Sequence, residues 1–168
     1  MAYLIGLPLL LLAAVAQSAV LPHLRVLDGG ADVVLLLTLG WVLAGDWRGG
    51  LVWAFVGGLC LDLLSGGPVG AATVGLVLMA YLASLTEGRF WRSHVLLPLA
   101  VILFGSVGFH LLQLLILFLG GFRPEVPTAL WRILLPSTLV NTALMLPLYQ
   151  LMRRLHGVVY APSVELEA

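Results

Sequence analysis

An all-α protein embedded in lipid is the fold class this sequence predicts, and three observations predict it. Of its 168 residues, 61% are hydrophobic and only 10% are charged. A soluble domain of this length has too little interior to hide that much apolar surface. The apolar residues also fall into long runs rather than alternating, which is the signature of helices that cross or line a membrane. Finally, the breaks between the runs are short, with no long linker and no low-complexity tract. The expected layout is a single domain over 1–152, followed by a short tail at 153–168.

Six short-looped transmembrane helices follow from the runs, at about 3–21, 32–45, 49–64, 69–86, 94–120 and 128–152. In the first, Ala14-Val15-Ala16 before Gln17 imitates a signal-peptidase site. Residues 1–6 carry no positive side chain, however, so the segment is expected to stay as a helix. The second is short: about 14 residues rise only ~21 Å against a hydrocarbon core of roughly 30 Å. It must lean on its neighbours, thin the bilayer or sit partly at the interface. Asp32 stands where a helix N-cap belongs and suits the positive end of the dipole. The third and fourth runs are joined by Ser65-Gly66-Gly67-Pro68 and read as a helical hairpin. In the last two, Pro98, Pro136 and Pro147 each remove a backbone donor and should bend the helix.

Charge is sparse and balanced. Eight Arg, with no Lys, match eight acids, which gives no footprint for nucleic acid. The single cysteine, Cys60, excludes an internal disulfide. With six spans, one side of the membrane holds Arg48, Arg89, Arg92, Arg153 and Arg154, and the other holds Arg25, Arg123 and Arg132. Five against three places both termini in the cytoplasm by the positive-inside rule.

Asp62 is the strongest polar signal, because an ionisable group within an apolar span is read as a site by default. Gly58, Asp62 and Ser65 share one stripe of the third helix. Two uses are open to the carboxylate. One is structural: bonding the turn amides of 65–67, or pairing with Arg123 or Arg132. The other is transport or proton relay. A second polar group forms at mid-membrane, where Ser106, His110 and Gln113 line the fifth helix and Ser137, Thr138 and Asn141 cluster on the sixth. His110 and Asn141 fall at similar depth, so a hydrogen bond between them is expected. Such groups serve as glue between helices, or as the grip of a buried pocket for a small ligand or a partner helix. Small residues recur at helical spacing (Ala14 with Ser18, Ala71 with Gly75, Ala80 with Ser84), which favours close packing. Pairing of two copies is compatible with this pattern.

Catalysis has little support. His23, His94, His110 and His156 are scattered, with no metal-ligand spacing. No serine sits in a nucleophile turn, and no second acid faces Asp62. The expectation is a non-enzyme with no metal and no cofactor.

These residues resemble the MreD family of the bacterial rod-shape system. The hairpin carries the likeness: Gly57-Gly58, then Leu61-Asp62-Leu63-Leu64-Ser65-Gly66, Pro68, Gly70 and Ala80-Tyr81-Leu82. Phe122-Arg123-Pro124-Glu125 before the last helix and Arg153-Arg154 near its end add to it. Where members of the family often open the second helix with Pro-Asp, this chain has Ala31-Asp32. The resemblance implies a fold similar to the substrate-binding subunits of energy-coupling-factor transporters. It further implies a scaffold in the elongasome, in the cytoplasmic membrane, with MreC, the MreB filament, RodA and its class B penicillin-binding protein as partners. On that reading Gly58, Gly66, Gly67 and Gly70 let the hairpin helices cross closely, and Asp62 and Ser65 lock the turn. Phe122, Pro124 and Glu125 form an outer lip for a partner segment. Trp47, Arg48, Arg89, Trp91 and Arg92 form a cytoplasmic rim, equally explained as interfacial anchoring. The rival reading is a vitamin-type substrate-binding subunit using His110, Gln113 and Asn141. A co-purifying small molecule would favour it.

Overall fold

The computed structural model describes residues 2–24, 27–86 and 96–160. Among them are six helices and no strand: α1 Ala2–Ala19, α2 Val33–Ala44, α3 Trp47–Ser65, α4 Ala71–Ser84, α5 Leu96–Leu119 and α6 Val126–Val159. Three of these, α3, α5 and α6, are long and apolar enough to cross a membrane. The expected spans at 32–45 and 69–86 form helices of only 12 and 14 residues.

The short α2 is the centre of the molecule. Nine consecutive residues, Val34 to Val42, are buried, so this helix is enclosed all round rather than on one stripe. It touches each of the other five helices. A helix covered by protein on every side needs no length to match the hydrocarbon thickness, which resolves the problem its shortness posed. Around it, α3 pairs with α4, α5 with α6, and α1 packs on α3.

The hairpin ends where the sequence expects. Gly66 closes α3 at φ 66° and Gly70 precedes α4 at φ 98°, left-handed conformations that favour glycine. A side chain at Gly58 would run into the backbone of Ala72 and Thr73, so the two helix backbones touch there.

The last helix departs most from expectation. It begins at Val126 and runs on to Val159, so Arg153 and Arg154 lie on the helix and not in a tail. Its final turns are held by packing: His156 lies edge-on to Trp41, and Tyr160 stacks near His156. Near its start, Ala129–Leu134 widen into a π turn. Pro136, which follows, has no N–H to offer the Arg132 carbonyl one turn back. The Asp28 backbone N–H takes that acceptor at 3.1 Å. The proline therefore turns a lost helix bond into an attachment point for the segment entering α2.

Candidate functional site

The site is assembled where α1 ends, α3 turns into α4, and α2 and α6 begin. Segment 28–32 lies along the start of α6, at and just past its π turn, so closely that a side chain at Gly29 would meet the Ile133 carbonyl and Ser137. Gly30 N–H donates to Ser137 Oγ at 3.1 Å, and Asp32 N–H donates to Asn141 Oδ1 at 2.8 Å. These bonds set the backbone, and the Asp32 side chain then becomes a hub. Its Oδ2 accepts from Asn141 Nδ2 at 2.7 Å and lies 3.5 Å from His110 Nε2. Gln17 Nε2 reaches Oδ1 at 3.5 Å. Asn141 Nδ2 also donates to Ser106 Oγ at 2.9 Å, and Thr138 approaches the same hydroxyl at 3.4 Å.

Asp32 does not cap its own helix, as the sequence suggested; no capping bond from its side chain exists. Gln17 replaces it, since its Oε1 accepts the Val34 N–H at 2.9 Å. The carboxylate is thereby freed to join α1, α5 and α6 at one point. The expected bond between His110 and Asn141 is likewise indirect, because both reach Asp32 Oδ2. Sequence reasoning read Asp32 as a local cap and passed over Gln17. The available signal was the rule applied to Asp62, that an acid inside an apolar chain needs a partner.

Asp62 has a different solution from those proposed for it. It is 3% exposed, and it bonds neither the amides of 65–67 nor any arginine among the described residues. Its Oδ1 accepts the Ala72 N–H at 2.8 Å, while Oδ2 accepts the Thr73 N–H at 3.1 Å and the Thr73 hydroxyl at 2.6 Å. The carboxylate of α3 thus caps α4 across the hairpin, where Gly70 has no side chain to do so. Gly58, one turn earlier on the same stripe, permits the approach that brings those amides within reach. Ser65 Oγ accepts the Gly67 N–H at 3.4 Å, and Pro68 is half-buried within the turn.

A cavity of about 430 Å³ opens beside Asp32, with Gln17, Asp28, His110, Gln113 and Ser137 among its polar walls and Phe109, Leu61 and Ile133 among its apolar ones. Its size is that of a small-molecule site. At its edge Arg132 Nε pairs with Asp28 Oδ2 at 3.1 Å, a pairing the sequence did not suggest. Phe122, Arg123 and Glu125 are exposed and Pro124 is half-buried; none of the four lines the cavity. Glu125 instead receives the Thr128 hydroxyl at 3.0 Å.

The opposite end of the bundle has its own hub. Asp46 accepts the Gly49 N–H at 2.8 Å, which caps α3, and the Trp41 indole and Tyr160 hydroxyl, each at 2.9 Å. Trp41 stacks on Trp53 with ring centroids 4.5 Å apart. Burial pushes the Asp46 pKa up, but the bonds from Gly49, Trp41 and Tyr160, with the nearby His156, outweigh it and hold the carboxyl below its ordinary value. Arg48 lies over Trp47 and Arg153 over Tyr149, and Arg154 is exposed beside them. Arg89, Trp91 and Arg92 fall outside the described residues.

A helical bundle with membrane-length apolar helices, whose inward acids are satisfied by other helices, defines a helical membrane protein. The family model of the rod shape-determining protein MreD matches residues 1–155, and the chain belongs to that family. Its role accordingly lies in rod shape determination. No solved structure matches the chain.

Proposed function

We propose that this protein is a non-catalytic membrane scaffold of the elongasome. In this reading it links MreC and the MreB filament to RodA and its class B penicillin-binding protein during peptidoglycan synthesis. All six helices span or line the bacterial cytoplasmic membrane, with both termini in the cytoplasm, on a fold similar to energy-coupling-factor substrate-binding subunits. The Asp32 site then faces outward and the Asp46 hub inward. One observation carries the reading: the buried acids are spent on holding helices to each other, while α5 and α6 turn large apolar side chains outward. Phe104, Phe118, Trp131 and Leu139 are all more than 60% exposed. Such faces suit lipid and the helices of membrane partners.

The cavity of about 430 Å³ favours one rival, a vitamin-type substrate-binding subunit of an energy-coupling-factor transporter. A mild-detergent pull-down from native membrane, with protein and small-molecule mass spectrometry on one eluate, separates the two. The scaffold reading expects an MreC-like protein or the RodA pair without a stoichiometric ligand. Recovery of a transporter ATPase module with a bound vitamin-sized compound would overturn it.

A further inference from the structure

The His110 ring is fixed from both sides. Its Nδ1 lies 2.9 Å from the Ser106 carbonyl oxygen. A carbonyl can only accept, so Nδ1 carries a hydrogen. In a neutral imidazole that assignment leaves Nε2 as a bare lone pair. Yet Nε2 faces Asp32 Oδ2 at 3.5 Å, with both side chains at most 15% exposed. A lone pair set against a carboxylate oxygen is repulsive, because neither atom offers the other a hydrogen. One additional proton removes the conflict. On Nε2 it makes an imidazolium–carboxylate pair; on Oδ2 it makes a carboxylic acid donating to a neutral ring. Either way the pair has no net charge.

We propose that Asp32 and His110 form a binding site for a single proton in the wall of the cavity, loaded and emptied through it. Both residues line the cavity, which gives the proton access. Binding takes the pair from a net charge of −1 to zero and joins α5 to the start of α2. Release restores the opposed lone pairs and leaves one negative charge facing the cavity. Among the described residues, the other charged groups near the pair are already committed. Asp28 before α2 and Arg132 of α6 pair with each other, and Asp62 of α3 is bonded to the first turn of α4. The remaining polar wall groups, Gln17 and Ser18 of α1, Ser65 of α3, Gln113 of α5 and Ser137 of α6, do not titrate, and α4 contributes only Ala72. The site does not depend on which partner the protein serves.

The test uses the full chain in lipid nanodiscs, labelled with ¹⁵N-histidine, with the His110 signals assigned by their loss in His110→Gln. The expected spectrum shows Nδ1 protonated throughout and Nε2 changing in one single-proton step as pH is raised. Asp32→Asn removes the ionisable carboxyl and should abolish that step or move it to lower pH while leaving Nδ1 bonded. Thermal unfolding gives an independent readout: raising pH through the step should lower the wild-type midpoint relative to Asp32→Asn. Parallel midpoints, or the same step in both proteins, would overturn the proposal. Should Asp32→Asn fail to fold, the wild-type spectrum decides alone. An Nε2 neither protonated nor hydrogen-bonded at any pH, or an Nδ1 without hydrogen, counts against the site.

Discussion

Asp62 replaces a missing local cap, and that sets what its substitution should do. Asp62→Ala leaves two amides and a hydroxyl of α4 without an acceptor, at about 1–3 kcal/mol for each buried donor left unmade. Denaturant titration in detergent should show a lower midpoint, with protection lost first in the opening turn of α4. The charge swap Asp62→Arg with Arg123→Asp should recover nothing over the single variants, since the acid bonds amides and not the loop arginine. Recovery in the double variant would refute the geometry. At the other end, Asp46 is held below its ordinary pKa, so its contribution is present above the unfolded value, roughly 3.9. That contribution is lost as pH falls through the lower folded value. Asp46→Asn should therefore flatten the acid limb of a stability–pH curve while lowering the plateau at neutral pH.

Among the elements, the α3–α4 hairpin was the most legible, because its turn glycines, Gly58 and Asp62 all lie within 13 residues of sequence. What the sequence could not give was the carboxylate's target: amides 65–67 are the nearer along the chain, and only the crossing at Gly58 selects the more distant pair, 10 and 11 residues on. Gly58→Ala should cost about 1–3 kcal/mol, as overpacked sites do, because backbone rather than a movable side chain opposes the new methyl. Comparing thermal midpoints of Gly58→Ala and Gly67→Ala checks this, since the space at Gly67 is open apart from the Ser65 hydroxyl at 3.5 Å. The polar stripes of α5 and α6 were also visible from periodicity. Their meeting point was not, because Asp32 lies in a non-helical segment that is placed by backbone bonds from Asp28, Gly30 and Asp32 to the distant α6. Gln17→Ala should uncap α2 at about 0.5–2 kcal/mol, measured by the same midpoint.

For the whole molecule, composition announced lipid as the solvent, but counting apolar runs treated every helix as a span. Run length says nothing of whether protein or lipid surrounds a helix, and α2 is enclosed by five others. Its mean hydropathy is high because it is the core. A polar substitution on α2, such as Leu36→Asn, should thus be far more damaging than Phe104→Asn on the outer face of α5, with accumulation in the membrane as the measure.

The two inward acids also differ in when they can be satisfied during synthesis. Asp62 finds its partners 10 and 11 residues later, so the hairpin completes itself almost as soon as it is made. Asp32 waits for Asn141, 109 residues downstream. Until the final helix is delivered, the half-buried Asp32 carboxylate has only Gln17 and then His110 beside it, and biogenesis as well as stability is where that residue is exposed to failure. Chains arrested before α6 should be cleared by membrane quality control, and Asp32→Asn should prolong their survival.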